Sequence, residues 1–205
     1  RALQQATGNT DEVRIGQTVP ESSVGAAELL TAHGYQRQWD SWALAWPPGR
    51  DLPARSIPDG VVIRPFSAND EHAVYRVVED AFNEWEDRSP QSFTNWQAFA
   101  TGHPAFDPGF LLVATVDDRI VGAAVGLCYP DEGWVQQLAV EPTFRNRGIA
   151  RALLRELFHL FHLRGERRLG LSTDSRTGAL DLYLGLGMVV EHTFVRRSKV
   201  LRPSQ

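Results

Sequence analysis

A short segment, Arg145-Asn146-Arg147-Gly148-Ile149-Ala150, combines a glycine with two arginines between two apolar stretches. It follows Leu138-Ala139-Val140, which favours a strand, and precedes a stretch with the apolar spacing of an amphipathic helix. The first N–H groups of a helix lack an intrahelical acceptor, and the helix dipole places partial positive charge there. Gly148 allows close approach of a ligand to the backbone. The segment, with the amide of Arg151, therefore predicts a turn that binds phosphate groups at a helix start.

This turn differs from two other phosphate-binding loops. A P-loop ends in Gly-Lys followed by Ser or Thr, and the dinucleotide-binding fingerprint has three spaced glycines directly after a strand. Residues 145–150 contain one glycine and no lysine, so both of these loop types are excluded at this position.

The segment resembles the pyrophosphate signature of the GNAT superfamily of N-acetyltransferases, Arg/Gln-x-x-Gly-x-Gly/Ala. A second GNAT signature, a helix of the form Ala-x-x-Leu-Tyr followed by a glycine, is similar to residues 179–188 with its spacing adjusted by one residue. The resemblance covers about residues 61–201 and is strongest over 134–190. It implies acetyl-CoA as co-substrate, with its pantetheine arm paired to the backbone of Leu138, Ala139 and Val140.

The resemblance also assigns a role to Tyr183, which in the family lies near the thioester sulfur and protonates, or hydrogen-bonds, the departing thiolate. Core packing is the alternative, because Tyr183 shares a helical stripe with apolar neighbours. Gln136 and Gln137 occupy the strand on which some GNAT relatives carry a glutamate. The general base is therefore expected to be Glu84, Glu86 or a chain of waters. Trp85, between the two glutamates in the sequence, could stack on a cationic amine.

Hydrophobic periodicity and turn residues predict the elements that must position these groups. Gly187 is expected to end the last helix in a left-handed conformation. The resulting class is α/β (α+β), a mixed sheet flanked by helices. The resemblance implies that this is the mostly antiparallel GNAT (acyl-CoA N-acyltransferase) sheet. Strands are predicted at 63–66, 110–115, 120–128, 134–140, 168–173 and 192–201, and helices at 70–84, within 83–98, at about 150–163 and at 178–186.

The first part of the chain repeats features of the last part. Arg1-Ala2-Leu3 matches Arg151-Ala152-Leu153, and the segment 25–35 parallels 178–188. This predicts a tandem arrangement: residues 1–46 as the end of a truncated, degenerate first GNAT copy, 47–60 as a linker and 61–205 as a complete GNAT domain. Leu30 stands in the first copy where Tyr183 stands in the second.

Composition limits the remaining function classes. Hydrophobic residues make up 42% and charged residues 22% of the 205, as in ordinary globular proteins. The net charge of −4 argues against nucleic-acid binding, and no apolar run is long enough to span a membrane. Cys128, the only cysteine, fits a reducing cytoplasm and is not expected to be a nucleophile. The only methionine is Met188, so the sequence is expected to be part of a longer chain.

The predicted activity is N-acetyl transfer from acetyl-CoA to a primary amine of a small molecule, by direct attack in a ternary complex. A non-catalytic acyl-CoA-binding or regulatory module is the alternative. No metal site is predicted, because His159 and His162 are joined by no third ligand in the sequence pattern. A homodimer remains open.

Overall fold

The computed structural model describes residues 13–84 and 88–201. By backbone proximity these residues form two compact units. One unit comprises 44–172 and 181–189, and the other comprises 13–43, 173–180 and 190–201. The residues Arg1-Ala2-Leu3, Trp85 and Glu86, which the sequence analysis singled out, lie outside the described residues.

The larger unit is built on a mixed sheet of five strands. The strands are β3 (Val62–Pro65), β4 (Phe106–Val116), β5 (Arg119–Tyr129), β6 (Glu132–Val140) and β7 (Arg168–Asp174). Their order in the sheet is β7-β6-β5-β4-β3. The pairs β3–β4, β4–β5 and β5–β6 are antiparallel, and β6–β7 is parallel. The predicted fold class is therefore confirmed.

Helices cover both faces of this sheet. On β5, Ala123 and Val125 face a core shared with α2 (Glu71–Phe82) and α3 (Phe93–Phe99). Gly122 and Gly126 alternate with them and face α4 (Ile149–Arg164). A Cβ on Gly126 would lie 2.8 Å from the ring of Phe161, so this glycine allows α4 to pack closely on the sheet. That packing fixes where α4, and therefore its first turn, lies.

The remaining strands belong wholly or mostly to the smaller unit. In it β8 (Val189–Leu201) lies between β1 (Val13–Pro20) and β2 (Gln36–Ala45), and it pairs with β1 in antiparallel fashion. The helix α1 (Val24–Ala32) connects β1 to β2. The helix α1 overlaps the segment 25–35, which parallels 178–188 in the sequence.

Among the predicted boundaries that differ from the observed ones, two have a clear local cause. The last helix, α5, spans Leu180–Leu186 and not 178–186, because Gly178 has φ +63° and Thr177 Oγ1 accepts a hydrogen bond from the Ala179 amide. Strand β4 begins at Phe106 and not at 110, because its pairing with β5 continues across a register irregularity that the Pro-Gly pair at 108–109 conceals in the sequence. The strands predicted at 110–115 and 120–128 are joined by a hairpin turn, with positive φ at both Asp117 and Asp118.

Candidate active site

The start of α4 has the backbone geometry of an anion site. Gly148 is the N-cap, with φ +82°, and Asn146 also lies in the left-handed region at φ +61°. The amide of Ala152 makes the first helical hydrogen bond, 3.0 Å to the Gly148 carbonyl. Within the described chain, the N–H groups from Asn146 to Arg151 donate to no backbone carbonyl. These N–H groups are therefore available to an anionic ligand.

Arg145 is held at the beginning of this loop by two partners. Its Nε donates to the carbonyl of Val140 over 3.0 Å, and its Nη1 donates to Oε2 of Glu84 over 2.7 Å. The guanidinium of Arg147 lies 5.0 Å from the ring centroid of Phe144. Arg145 and Arg147 are exposed, so both positive charges lie at the surface beside the loop.

A second feature of the site is the separation of β6 from β7. Their parallel pairing runs from Glu132 opposite Arg168 to Val135 opposite Leu171, and no further pair follows among the described residues. Strand β6 nevertheless continues to Val140, with its other edge paired to β5. Leu138, Ala139 and Val140 therefore lie in a stretch of β6 that is open on the β7 side. An extended ligand could add to such an edge as a strand does.

Tyr183 is buried in α5, with 7% of its surface exposed. Burial raises the pKa of its phenol to about 12. The hydroxyl is therefore protonated at neutral pH and able to donate. No described residue forms a hydrogen bond with it. The side chain of Arg151 reaches from α4 towards this helix, since its Nη2 would lie 3.4 Å from a Cβ placed on Gly185.

The two glutamines of β6 have different surroundings. Gln137 is buried, and its Oε1 accepts a hydrogen bond from Nε1 of Trp96 over 3.0 Å. Gln136 is half-buried and lies at the register shift of the β5–β6 pairing. A neutral amide cannot act as a base at neutral pH, which is consistent with the expectation that the base lies elsewhere.

A buried ion pair joins α2 to Arg88, and no pattern in the sequence predicted it. Arg88 donates from Nη1 and Nη2 to the two carboxylate oxygens of Glu79, over 3.1 and 2.5 Å, and the amide of Gln91 donates to the same carboxylate over 3.0 Å. Glu79 is 4% exposed. The sequence contained a signal for the burial of Glu79, because this residue directly follows Val77 and Val78 on the apolar side of α2. Both oxygens of the Glu79 carboxylate therefore already accept hydrogen bonds.

The surroundings of Cys128 and His159 favour structural roles for both side chains. Burial raises the pKa of the Cys128 thiol to about 11, so little reactive thiolate is present at neutral pH. His159 places Nε2 3.0 Å from the carbonyl of Pro53. In the described ranges, His, Cys, Asp and Glu form no group of three suited to hold a metal ion. No helix in the same ranges is both long and apolar enough to cross a membrane.

Comparison with known proteins assigns the family. The sequence profile of the acetyltransferase (GNAT) family matches residues 71–188, more than half of the chain. The mycothiol acetyltransferase of a Nocardioides species is 30% identical over 184 residues, which are 79% of this chain and 61% of that protein. The ribosomal protein bS18-alanine N-acetyltransferase of Salmonella typhimurium is 36% identical over 77 residues, 37% of this chain and 52% of that protein.

A solved structure agrees with these sequence matches. The GCN5-related N-acetyltransferase from Sphaerobacter thermophilus is 36% identical and superimposes with a TM-score of 0.84. The match covers 95% of this chain and 62% of that one. The chain thus spans less than two thirds of the length of these larger relatives. With the profile match over α2 to α5 and the fold described above, the chain belongs to the GNAT family of acetyltransferases.

Proposed function

We propose that this protein transfers the acetyl group of acetyl-CoA to a primary amine by direct attack in a ternary complex. The observation that carries the proposal is the opening between β6 and β7 after Val135, beside the free amides of the Gly148 loop. An extended arm that ends in a pyrophosphate fits these two features, because one offers a strand edge and the other an anion site.

Binding and chemistry divide between two sets of residues in this proposal. The backbone of Leu138, Ala139 and Val140 pairs with the pantetheine arm, while the amides and side chains of residues 145–151 hold the pyrophosphate. Holding the thioester beside a bound amine replaces a collision in solution by an oriented encounter. Tyr183, protonated because it is buried, donates its proton to the thiolate as the carbon–sulfur bond breaks.

The attacking amine must lose a proton, and Glu84 is the base in this proposal. It lies just after α2 and is half exposed to solvent. Glu79 is an unsuitable alternative, because its two oxygens already accept hydrogen bonds from Arg88 and Gln91. Glu84 must leave Arg145 to accept the proton, and phosphate oxygens of the cofactor can replace the carboxylate at that guanidinium.

The tandem organisation is also a proposal. In each half, a strand, a short helix and a second strand follow in order: β1-α1-β2 and β7-α5-β8. A glycine with positive φ follows both helices, Gly34 at +81° and Gly187 at +110°. We infer that residues 13–46 are the end of a first GNAT copy whose counterpart of Tyr183 is Leu30. That first copy then has no phenol to donate a proton, and turnover belongs to the second.

The names of the relatives indicate which acetyl acceptors should be tested first. Several relatives are mycothiol acetyltransferases, so a mycothiol-type amine is the first acceptor to try, and an N-terminal alanine peptide is the second. The test is a thiol-release assay with acetyl-CoA and each amine, with the product identified by mass spectrometry, after calorimetric titration with acetyl-CoA. Release with an acetylated amine supports the proposal. Tight binding without release for a broad amine panel would favour an acyl-CoA-binding module instead.

A further inference from the structure

The segment predicted to be a linker lies against α4 along most of its length. We define the strap as residues 50–58, between a turn closed by Arg50 N and Pro47 O and a second turn closed by Val61 N and Pro58 O. The carbonyl of Pro53 lies 3.0 Å from Nε2 of His159. Nε of Arg55 lies 3.6 Å from Oε2 of Glu156. Along the strap, the first contact with α4 is at His159, and the second is at Glu156, about one turn nearer the start of the helix.

The far end of the strap reaches the proposed pyrophosphate loop. A Cβ placed on Gly148 would meet Cγ of Pro58 at 3.4 Å, and no other atom of the described chain outside the neighbouring residues would lie within 4 Å. The lengths agree with an extended strap. The stretch of α4 from His159 back to Gly148 is about 16 Å long. An extended chain from Pro53 to Pro58 covers about the same length.

The near end of the strap contacts the end of α5. Nη1 of Arg50 donates to the carbonyl of Gly187 over 3.0 Å, and its guanidinium lies above the ring of Trp46, 5.5 Å from the centroid. Trp46 donates from Nε1 to the Arg50 carbonyl and packs edge-on against Phe158 of α4. The strap therefore joins the end of the helix that carries Tyr183 to the start of the helix that carries the phosphate loop.

We propose that the strap is a positioning element of the acetyl-CoA site, with Pro58 and His159 as its positioning residues. The proposal rests on the proposed function. Pro58 occupies the side of Gly148 on which a Cβ would lie, and Gly148 has a left-handed φ, so the strap limits the space in which this glycine can move. A loop already in its binding conformation loses less entropy when a ligand arrives. The strap then raises affinity for the nucleotide end of acetyl-CoA and leaves the chemical step unchanged.

The test compares two acetyl donors that differ at the nucleotide end. Acetyl-CoA has the pyrophosphate, whereas acetyl-pantetheine does not. Pro58→Gly and His159→Ala are expected to raise KM for acetyl-CoA about three- to thirtyfold, the effect of a few ordered groups. They are expected to leave kcat, and KM for acetyl-pantetheine, unchanged. Pro104→Gly and His162→Ala are matched controls, since both residues are exposed and lie outside the strap, the turns that bound it and the loop.

A second measurement does not depend on turnover. Amide hydrogen exchange of Ala152, whose N–H donates to the Gly148 carbonyl over 3.0 Å, reports how firmly Gly148 is held. Both strap variants should exchange faster at Ala152, while the controls keep the parent rate. Unchanged exchange there, or an equal rise of KM for both donors, overturns the positioning role. A parent protein that fails to bind acetyl-CoA refutes the proposed function instead, and exchange still decides whether the strap orders the loop.

Discussion

The carboxylate of Glu84 lies 2.7 Å from Nη1 of Arg145, and this contact joins the end of α2 to the beginning of the Gly148 loop. The residues are sixty-one positions apart in the sequence. Their side chains are 43% and 38% exposed, so the pair itself adds little to stability. Its importance is in the site, because Arg145 stands in the pyrophosphate signature and Glu84 is the proposed base. A ligand that attracts Arg145 changes the surroundings of Glu84.

Replacing Glu84 distinguishes a role as the general base from a role in holding Arg145. If Glu84 is the base, Glu84→Gln lowers kcat about 100- to 10,000-fold. The Kd for acetyl-CoA should change little, since the amide keeps the shape and can still accept a hydrogen bond from Arg145. The measurements are steady-state rates over a range of pH and a calorimetric titration. The control is Asp80→Asn, an exposed carboxylate on α2. A normal kcat with weakened acetyl-CoA binding would mean that Glu84 only holds Arg145.

Gly148 should control affinity for the cofactor. Gly148→Leu places a side chain at φ +82°, where an L-residue is strained by about 1–2 kcal/mol, and shields the loop amides. Hydrogen bonds to a charged group are worth about 1.5–3 kcal/mol, so losing one weakens acetyl-CoA about ten- to hundredfold.

Gly165 offers a control for the strain at Gly148. It ends α4 at φ +96°, and a Cβ there would meet nothing within 4 Å. Gly165→Leu should therefore lower Tm as Gly148→Leu does and keep the Kd of the parent. Equal Kd values for the two variants would argue against the loop as the pyrophosphate site.

Local signals in the sequence predicted most of the fold. The apolar spacing of Leu153, Leu154, Leu157 and Phe161 gave α4 to within a residue of its end, because an amphipathic helix repeats over several turns. The Asp-Asp pair at 117–118 favours a tight turn between two strands, and the structure has the β4–β5 hairpin there, with positive φ at both residues. Such features depend on neighbours along the chain, which a single sequence contains.

Contacts between distant residues were not predictable in the same way. The Trp96–Gln137 hydrogen bond and the Glu84–Arg145 pair depend on how α2 and α3 pack on the sheet. The proline- and glycine-rich composition of residues 47–60 predicted a linker, and composition contains no information about the contact of Pro53 with His159. Side-chain partners across elements are set by tertiary packing, for which local propensity provides no signal.

Acid stability should depend on Asp70. Its carboxylate accepts two hydrogen bonds from Arg64, at 2.6 and 2.9 Å, and one from the Ser67 amide. The contact with Arg64 lowers the pKa of Asp70 to about 2, below the value of about 3.9 in an unfolded chain. The native state therefore binds this proton less readily. The stabilisation is complete above about pH 4 and is lost as pH falls towards about 2.

Asp70→Asn tests this dependence through urea unfolding at a series of pH values. The variant should be less stable than the parent at neutral pH, and the difference should shrink below about pH 4. Asp80→Asn, an exposed residue on the following helix, should show neither effect. A constant difference between Asp70→Asn and the parent across the whole range would contradict the assignment to this carboxylate.

Tyr183 should act when the thiolate leaves, because only then does charge develop on sulfur. Tyr183→Phe keeps the buried ring and removes the hydroxyl, so we expect an unchanged Kd for acetyl-CoA and a kcat lower by about ten- to a thousandfold. Tyr129→Phe, at an exposed tyrosine, is the matched control. Ultraviolet titration of the parent and Tyr183→Phe should assign to Tyr183 a phenol with a pKa of about 12. An unchanged kcat, with chemistry shown to limit the rate, would leave Tyr183 as a core residue and water as the proton donor.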